Sequence, residues 1–255
     1  LVITVDPVND APVASGTIAD QSDDDAGVVA GVATSSFFSD IDGDVLGYSA
    51  SGLPAGLSID PVTGVISGTI DNSASQGGPA SDGVYSGTVT ADDGNGGTVD
   101  QTFTWTVANP APVANDDAAS TDEDVAVSGN VIGSGGAGDV ADSDADGDVL
   151  SVTTFVVAGD PATYNAGDTA TIAGVGTVLL ASDGSYTFTP DADWNGTVPA
   201  ITYTLSDGEG GSDTADLVIT VDPVNDAPVA SGTIADQSDD DAGVVAGVAT
   251  SSFFS

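Results

Sequence analysis

Two loops with the same spacing bring three aspartates close together in the sequence. They are Asp40-Ile-Asp42-Gly-Asp44 and Asp144-Ala-Asp146-Gly-Asp148, and the second loop is preceded by Asp142. Alternate aspartates in a loop that a glycine can turn sharply place several carboxylate oxygens around one point, and Ca²⁺ takes about six to eight oxygen ligands. An isolated Asp-Gly pair is typical of a simple turn, but the repetition of the whole pattern favours a metal. We therefore predict that both loops bind Ca²⁺.

Other oxygen-bearing side chains accompany these loops. In the first half of the chain the further predicted ligands are Asp6, Asn9 and Asp10 before the first strand and Asp92 and Asp93 before the last. In the second half they are Asn115, Asp116, Asp117, Asp207 and Glu209, and a third set follows the last strand: Asp222, Asn225 and Asp226. In an immunoglobulin-like topology, the loops before the third and the last strand lie at the end where the chain enters. We therefore expect these ligands to converge at domain entrances.

The chain contains no positive side chain that could neutralise these acids. Its 255 residues carry 40 acidic side chains and no Lys, Arg or His, so the formal net charge is −40. Two carboxylates about 4 Å apart repel by roughly 4 kcal/mol at an effective dielectric near 20, whereas a domain is stable by only about 5 to 15 kcal/mol. A bound cation would remove this repulsion. An acidic surface of the halophile type is the alternative interpretation.

The same absences exclude several classes of function. Ser-His-Asp, Cys-His and lysine chemistry need residues that the chain lacks, and a carboxylate-pair hydrolase would need two acids across a cleft rather than acids in Gly-rich loops. We therefore predict that the chain is not an enzyme. Nucleic acids and anionic membranes are recognised through Lys and Arg, so neither is a predicted partner, and we predict no insertion into a membrane. Zn²⁺ and Cu²⁺ lack their preferred ligands.

An internal repeat divides the chain into domains. Residues 1–39 recur without change as residues 217–255, and this repeat distance suits two domains of ordinary size. We predict the end of a preceding domain over residues 1–11, domain A over 12–109, domain B over 111–222, and a linker with the incomplete start of another domain A over 223–255. The chain is therefore expected to be a segment of a longer array.

Both domains show the period-two alternation of half-buried strands. In domain A the apolar positions include Phe103, Trp105 and Val107, and in domain B they include Ile201, Tyr203 and Leu205, with threonines between them. Short strands separated by Gly, Asp and Asn turns are typical of a sandwich, and a hydrophobic content of 40% indicates buried cores. We predict an all-β chain of tandem immunoglobulin-like sandwiches.

Segments of both domains resemble known families. Leu53–Gly68, together with Asp40–Tyr48, resembles the putative-Ig and dystroglycan-type cadherin-like repeats. In domain B the residues Ser182–Pro190, Trp194–Gly196 and Ile201–Pro228 resemble the cadherin-like and VCBS-type repeats of bacterial adhesins. The resemblance implies cadherin-like sandwiches in the repeat region of a giant RTX-type adhesin, which is exported by type I secretion and stiffened by Ca²⁺ between its domains.

These observations predict a non-enzymatic, Ca²⁺-rigidified extender of a secreted or cell-surface bacterial protein, in adhesion or biofilm formation, with neighbouring identical repeats as partners. A Ca²⁺-dependent glycan-binding module is one alternative. Another is a filament subunit that polymerises by strand donation, with Leu1–Val5 as the donated strand.

The linker entering domain B has a proline where the linker of domain A has an acid, so we expect its site to bind Ca²⁺ more weakly.

Overall fold

The structure is a computed structural model that describes residues 8–133 and 140–227. The predicted ligand Asp6, the predicted strand Leu1–Val5 and the part of the predicted segment 223–255 that follows Ala227 lie outside the described residues. Within the described ranges every regular element is a β-strand, apart from two single-turn 3₁₀ helices, Ser35–Phe37 and Ala74–Gln76. Neither of these helices is long and apolar enough to cross a membrane. The predicted all-β fold class is confirmed.

Domain A is a two-layer sandwich of short strands. Its described strands are β1 (Val13–Ala14), β2 (Gln21–Asp24), β3 (Val28–Ala33), β4 (Phe38–Ser39), β5 (Gly47–Ser51), β6 (Leu57–Ile59), β7 (Val65–Thr69), β8 (Val84–Asp92) and β9 (Thr98–Ala108). One sheet has the order β2-β9-β8-β5 and the other the order β3-β7-β6, while β1 pairs with β4. β2 runs parallel to β9, and the other pairs are antiparallel.

The core of domain A forms where the apolar faces of its two sheets meet. Phe103, Trp105 and Val107 are buried along β9, and the threonines between them are not, as a side-chain period of two requires. Ile66 of β7, in the opposite sheet, is fully buried in the same cluster. The indole Nε1 of Trp105 donates to Asp23 Oδ2 at 3.0 Å, which satisfies the polar atom of a buried aromatic. Trp105 is therefore a core residue.

Domain B repeats this architecture with a larger first sheet. Its described strands are β10 (Asp117–Asp122), β11 (Val127–Asn130), β12 (Ser151–Val157), β13 (Thr163–Asn165), β14 (Thr169–Ile172), β15 (Gly176–Leu180), β16 (Ser185–Pro190), β17 (Gly196–Thr197), β18 (Ile201–Ser206) and β19 (Ser212–Asp222). One sheet has the order β10-β19-β18-β12-β13, with β17 also on β19, and the other has the order β11-β16-β15-β14. β10 runs parallel to β19, as β2 does to β9.

The core of domain B also draws on both sheets. Ile201, Tyr203 and Leu205 are fully buried along β18, and Phe188 of β16 is fully buried from the other side. Trp194 packs against this cluster but is only partly buried. The alternation predicted for these strands is therefore present in the structure.

The pairing of the central strands explains why the acidic loops meet. In domain A, Gly47 at the start of β5 lies opposite Asp92 at the end of β8, so the loop that leads into β5 adjoins the loop that follows β8. In domain B, Ser151 at the start of β12 lies opposite Ser206 at the end of β18, with the same result. We call the end of each sandwich that carries these loops its entrance, and the end where β9 or β19 finishes its base.

A substitution in one core should destabilise only the domain that contains it, because each core consists of residues from one domain. Phe188→Ala should destabilise domain B by about 3 to 5 kcal/mol through the cavity it leaves, and Phe103→Ala should do the same to domain A. Scanning calorimetry in excess Ca²⁺ measures both transitions, with Thr189→Ala, on the exposed side of β16, as the control. Equal shifts of both transitions in either core variant would contradict two separate cores.

Candidate metal sites

The A-entrance cluster consists of Asp40, Asp42 and Asp44, which precede β5. One carboxylate oxygen from each lies within 4.8 Å of the others. Asp40 Oδ1 accepts hydrogen bonds from the amides of Asp42 at 2.9 Å and Asp44 at 3.3 Å, so the loop folds around this carboxylate. Asp40 Oδ2 is buried and has no hydrogen-bond partner. A buried carboxylate oxygen without a donor is costly, and a cation would stabilise it.

The linker that enters domain A contacts this cluster directly. The Asp10 amide donates to Asp42 Oδ2 at 2.7 Å, and Asn9 Nδ2 donates to Asp93 Oδ2 at 2.9 Å. The side-chain amide of Asn95 donates to Asp44 Oδ2 at 2.9 Å, which joins the two acidic loops. The predicted convergence of linker and loops at the entrance of domain A is thus present for these residues.

Asp93 and Asp92 have different environments although they are adjacent. Asp93 is buried, and its Oδ1 accepts the amides of Asn95 at 2.7 Å and Gly97 at 2.9 Å. The hydrogen bond from Asn9 is the largest cause of a lowered pKa of Asp93, and these backbone amides add to it against the effect of burial. Asp92 is exposed, and its Oδ1 accepts only the Gly94 amide, at 2.7 Å. The structure therefore gives Asp92 a turn-forming contact.

The B-entrance cluster consists of Asp144, Asp146 and Asp148, which precede β12. One carboxylate oxygen from each again lies within 4.8 Å of the others. Asp144 Oδ1 faces the amides of Asp146 at 3.1 Å, Gly147 at 3.2 Å and Asp148 at 3.4 Å. Four buried oxygens of this cluster have no hydrogen-bond partner: Asp144 Oδ2, both oxygens of Asp146, and Asp148 Oδ2.

The crowding of negative charge changes the acidity of the B-entrance cluster. Burial, the neighbouring Asp144 carboxylate and the charge of Asp148 together raise the pKa of Asp146 to about 7. Burial acts to raise the pKa of Asp144, but the neighbouring Asp146 carboxyl and hydrogen bonds from the loop amides outweigh burial, so the pKa of Asp144 is lowered. Burial, followed by the charge of Asp144, raises the pKa of Asp148. The carboxylates of this cluster therefore repel one another, and a cation would relieve that repulsion.

Asp207 of domain B has the same contacts as Asp93 of domain A. Its Oδ1 accepts the amides of Glu209 at 2.8 Å and Gly211 at 3.0 Å, and its Oδ2 accepts Asn109 Nδ2 at 2.9 Å. Asn109 Oδ1 is buried without a hydrogen-bond partner, so Asn109 is a candidate ligand that the sequence analysis missed. Its signal was the pattern Asn-x-Ala-Pro-Val, which occurs at residues 9–13, 109–113 and 225–229.

Four predicted ligands of domain B have hydrogen-bond partners outside the B-entrance cluster. Asp117 and Asp142 are buried, and the hydroxyl of Tyr203 lies 3.1 Å from Asp117 Oδ2 and 3.2 Å from Asp142 Oδ2. The Asn115 amide donates to Asp142 Oδ1 at 2.8 Å, and Asp116 Oδ1 accepts the amide of Asp216 at 3.0 Å. Burial raises the pKa of Asp142. The metal-ligand roles of Asn115, Asp116, Asp117 and Asp142 stay predictions.

The base of domain A approaches the entrance of domain B. Asp25 is buried there, and its carboxylate accepts the Ser75 amide at 2.9 Å. Gln76 Nε2 donates to the Glu209 carboxylate. Burial, then the charges of Asp148 and Asp25, raise the pKa of Glu209. Asp25 was not predicted as part of a site, and it adds a negative charge near the B-entrance cluster.

The base of domain B holds the linker that follows it. Glu123 is buried, its Oε1 accepts the Val224 amide at 2.5 Å, and its Oε2 accepts Asn195 Nδ2 at 3.0 Å. Burial, followed by the charges of Asp193, Glu123 and Asp124, raises the pKa of Asp226. The other predicted ligands of this linker, Asp222 and Asn225, are exposed. Glu123 was missed as a site residue, although it is one of only two glutamates.

The donors at both entrances suit a Ca²⁺ ion. All the unpartnered buried atoms of the two clusters are carboxylate oxygens, which are hard ligands of the kind that Ca²⁺ prefers. No other group of three or more acidic side chains among the described residues has its ligand atoms close enough to share an ion. The geometry therefore fits one cation centre at each entrance.

Each domain matches a known family. Residues 11–108 match the family described as "Putative Ig domain", and residues 109–223 match "Bacterial cadherin-like domain". The predicted resemblance to tandem cadherin-like and Ig-like repeats is therefore confirmed. Such domains are typically extracellular and non-enzymatic, and cadherin-like domains generally bind Ca²⁺. No curated protein matches the chain in sequence.

Similar solved structures include two cadherins and an enzyme. Drosophila N-cadherin EC1-4 is 16% identical, with a TM-score of 0.38 over 84% of this chain and 50% of that chain. Human protocadherin-24 EC1-2 is 19% identical, with a TM-score of 0.34 over 86% of this chain and 100% of that chain. The endo-fucoidan hydrolase MfFcnA4 of glycoside hydrolase family 107 is 18% identical, with a TM-score of 0.37 over 87% of this chain but only 30% of that chain.

The stability of domain B in chelator should depend on pH through Asp146. Because the pKa of Asp146 is raised to about 7 in the folded domain and is about 3.9 in an unfolded chain, the folded state binds more protons between these values. Stability is therefore lost as the pH rises through about 7 and is regained as it falls. We expect the Tm of domain B in chelator to rise when the pH is lowered from about 8 to about 5.5.

Asp146→Asn should remove most of this dependence and raise the Tm of domain B at pH 8, because the amide carries no charge. Asp183→Asn is the matched control, since Asp183 is exposed and hydrogen bonds from Ser185 lower its pKa. Calorimetry across pH in chelator makes the comparison. A pH response that is the same in Asp146→Asn as in the native chain would show that Asp146 is not its source.

Proposed function

We propose that this chain, with one Ig-like and one bacterial cadherin-like domain, is a non-enzymatic structural repeat of an extracellular bacterial protein, and that Ca²⁺ at the domain entrances stiffens it. In this role the repeat acts as an extender in an adhesin or an extracellular filament. RTX-type export by type I secretion and a part in biofilm formation belong to the same proposal, on the resemblance of the repeats to those of bacterial adhesins.

The observation that carries the proposal is the set of buried carboxylate oxygens without donors at the two entrances. A pair of unit charges about 5 Å apart repels by roughly 3 kcal/mol at an effective dielectric near 20. The chain has no Lys, Arg or His to offset this repulsion. An ion present at about 100 times its Kd would add about 2.7 kcal/mol per site to the stability of the folded state, a large share of the stability of one domain.

The ion at the entrance of domain B would join parts of two domains. The loop ligands would be Asp144, Asp146 and Asp148 of domain B, and Asn109 of the linker would supply its unpartnered Oδ1. The base of domain A already contacts the same region through Gln76 and Glu209. Because the ligands come from a loop and from the linker, binding would restrict the angle between the domains.

A second junction can be inferred from a linker sequence that occurs twice. Val-Asn-Asp-Ala is found at residues 224–227, where the base of domain B holds the Val224 amide through Glu123. The same sequence is found at residues 8–11, where Asn9 and Asp10 bind the entrance of domain A. A single linker with both sets of contacts would connect the base of a B domain to the entrance of the next A domain. This supports an array of alternating A and B domains.

The strand-donation alternative is less economical. β19 already occupies the position between β10 and β18 in the sheet of domain B, and its residues Leu217–Val221 have the sequence of the predicted donor. A covalent array therefore needs no donated strand to complete domain B.

The glycan-binding alternative makes a different prediction, namely Ca²⁺-dependent retention on immobilised polysaccharide, and glycan arrays with and without chelator test it.

Each entrance should lose its own ion when its loop is altered. Asp42→Ala should abolish binding at the entrance of domain A and Asp144→Ala at that of domain B, because the clusters belong to different domains and distant sites act independently. Isothermal calorimetry with Ca²⁺ should show about one site fewer in each variant, and the full number in Asp82→Ala, where an exposed Asp outside both clusters is removed. Loss of both sites in a single variant would contradict separate centres.

Removal of Ca²⁺ should loosen the junctions before it unfolds the sandwiches, because the acids gather at the entrances while the cores are apolar. Small-angle X-ray scattering should give a broader distribution of interatomic distances in chelator, while circular dichroism keeps its strand signal. A maximum dimension and distance distribution that do not change on chelation would overturn the proposal that Ca²⁺ stiffens the array.

A further inference from the structure

At two aligned positions, the entrance of domain B lacks a hydrogen-bond donor that the entrance of domain A has. The linkers Asn9-Asp10-Ala11-Pro12 and Asn109-Pro110-Ala111-Pro112 align, so proline replaces Asp10. The loops Asp93-Gly-Asn95-Gly-Gly97 and Asp207-Gly-Glu209-Gly-Gly211 also align, so Glu209 replaces Asn95. The first asparagine of each linker makes the same 2.9 Å hydrogen bond, to Asp93 or to Asp207. The linker therefore contacts the loop in the same way at both entrances, and the two sites can be compared residue by residue.

The proline removes a hydrogen-bond donor from the entrance of domain B. In domain A the amide of Asp10 donates to Asp42 Oδ2 at 2.7 Å. Proline has no backbone N–H, so Pro110 cannot make the equivalent bond to Asp146, which aligns with Asp42. Both carboxylate oxygens of Asp146 are buried without a hydrogen-bond partner.

The glutamate removes a second donor. In domain A the side-chain amide of Asn95 donates to Asp44 Oδ2 at 2.9 Å. At the aligned position Glu209 offers only a carboxylate, and Oδ2 of Asp148, the counterpart of Asp44, is buried without a partner. The formal charge of the two positions is the same in both domains, since each pair contains one acid. These two replacements therefore change the hydrogen-bond donors at the entrance without changing the formal charge of the pair.

Building on the proposed function, we propose that Pro110 and Glu209 make the entrance of domain B the tighter and more Ca²⁺-dependent of the two sites. At the entrance of domain A, hydrogen bonds from Asp10 and Asn95 already stabilise the carboxylates that an ion would bind. The ion must compete with these donors. At the entrance of domain B the carboxylate oxygens have no such partners, so their full ligand capacity is available. This order is the reverse of the one expected from the sequence, where loss of an acid from the linker implied weaker binding.

A reciprocal exchange of the two positions tests the inference. The double variant Pro110→Asp with Glu209→Asn gives domain B the donors of domain A, and Asp10→Pro with Asn95→Glu does the reverse, both without a change in formal charge. We expect the Kd for Ca²⁺ at the entrance of domain B to rise about tenfold in the first variant and that of domain A to fall about tenfold in the second. Tenfold corresponds to ~1.4 kcal/mol, about the net worth of one hydrogen bond.

Two measurements separate this inference from the general proposal. Calorimetric titration measures the two affinities, and the variants Asp42→Ala and Asp144→Ala show which affinity belongs to which site. Thermal unfolding in chelator should show that domain B is stabilised in the first double variant. Gln76→Ala controls for the contact between Gln76 and Glu209, and it should leave the affinity order unchanged. Binding at both sites with an order that the exchange does not alter would overturn this inference alone. No Ca²⁺ binding in the native chain would overturn the proposed function as well.

Discussion

A buried carboxylate needs a hydrogen-bond donor or a cation, and this chain supplies no cation of its own. Every buried acid therefore depends on N–H and O–H groups or on an ion from solution. Asp93 and Asp207 are satisfied entirely within the protein, by two loop amides and one asparagine each. The clusters that precede β5 and β12 are not. The architecture of the entrances follows from this division between satisfied and unsatisfied acids.

The satisfied acids position the unsatisfied ones. Asp93 and Asp207 each accept a hydrogen bond from an asparagine of the entering linker, so hydrogen bonds within the protein hold the chain at the entrance. Glu123 does the same for the departing linker at the base of domain B. These contacts pre-organise the ligands, which reduces the conformational entropy that ion binding must offset. Stiffness would then come from an ion added to an assembled junction.

Domain B also shows how one fold can use its acids in two ways. Asp142 is close in sequence to the B-entrance cluster, yet it is buried with Asp117 around the hydroxyl of Tyr203. At the corresponding position, four residues before the second Asp of the loop, domain A has buried Phe38. In domain B a polar network therefore takes the place of this apolar packing, and Asp117 and Asp142 both lie within hydrogen-bond distance of a core tyrosine.

The sequence by itself determined the all-β class, the strand faces and the two clusters, because side-chain alternation and the Asp-x-Asp-Gly-Asp spacing are local properties. It also placed the clusters at the entrances, since strand order in such a sandwich brings those loops together. Only the tertiary structure placed Asp142 beside the hydroxyl of Tyr203 and brought Asp25, Asn109 and Glu123 to the junctions. These contacts join residues far apart in the chain, and their geometry depends on how the sheets pack.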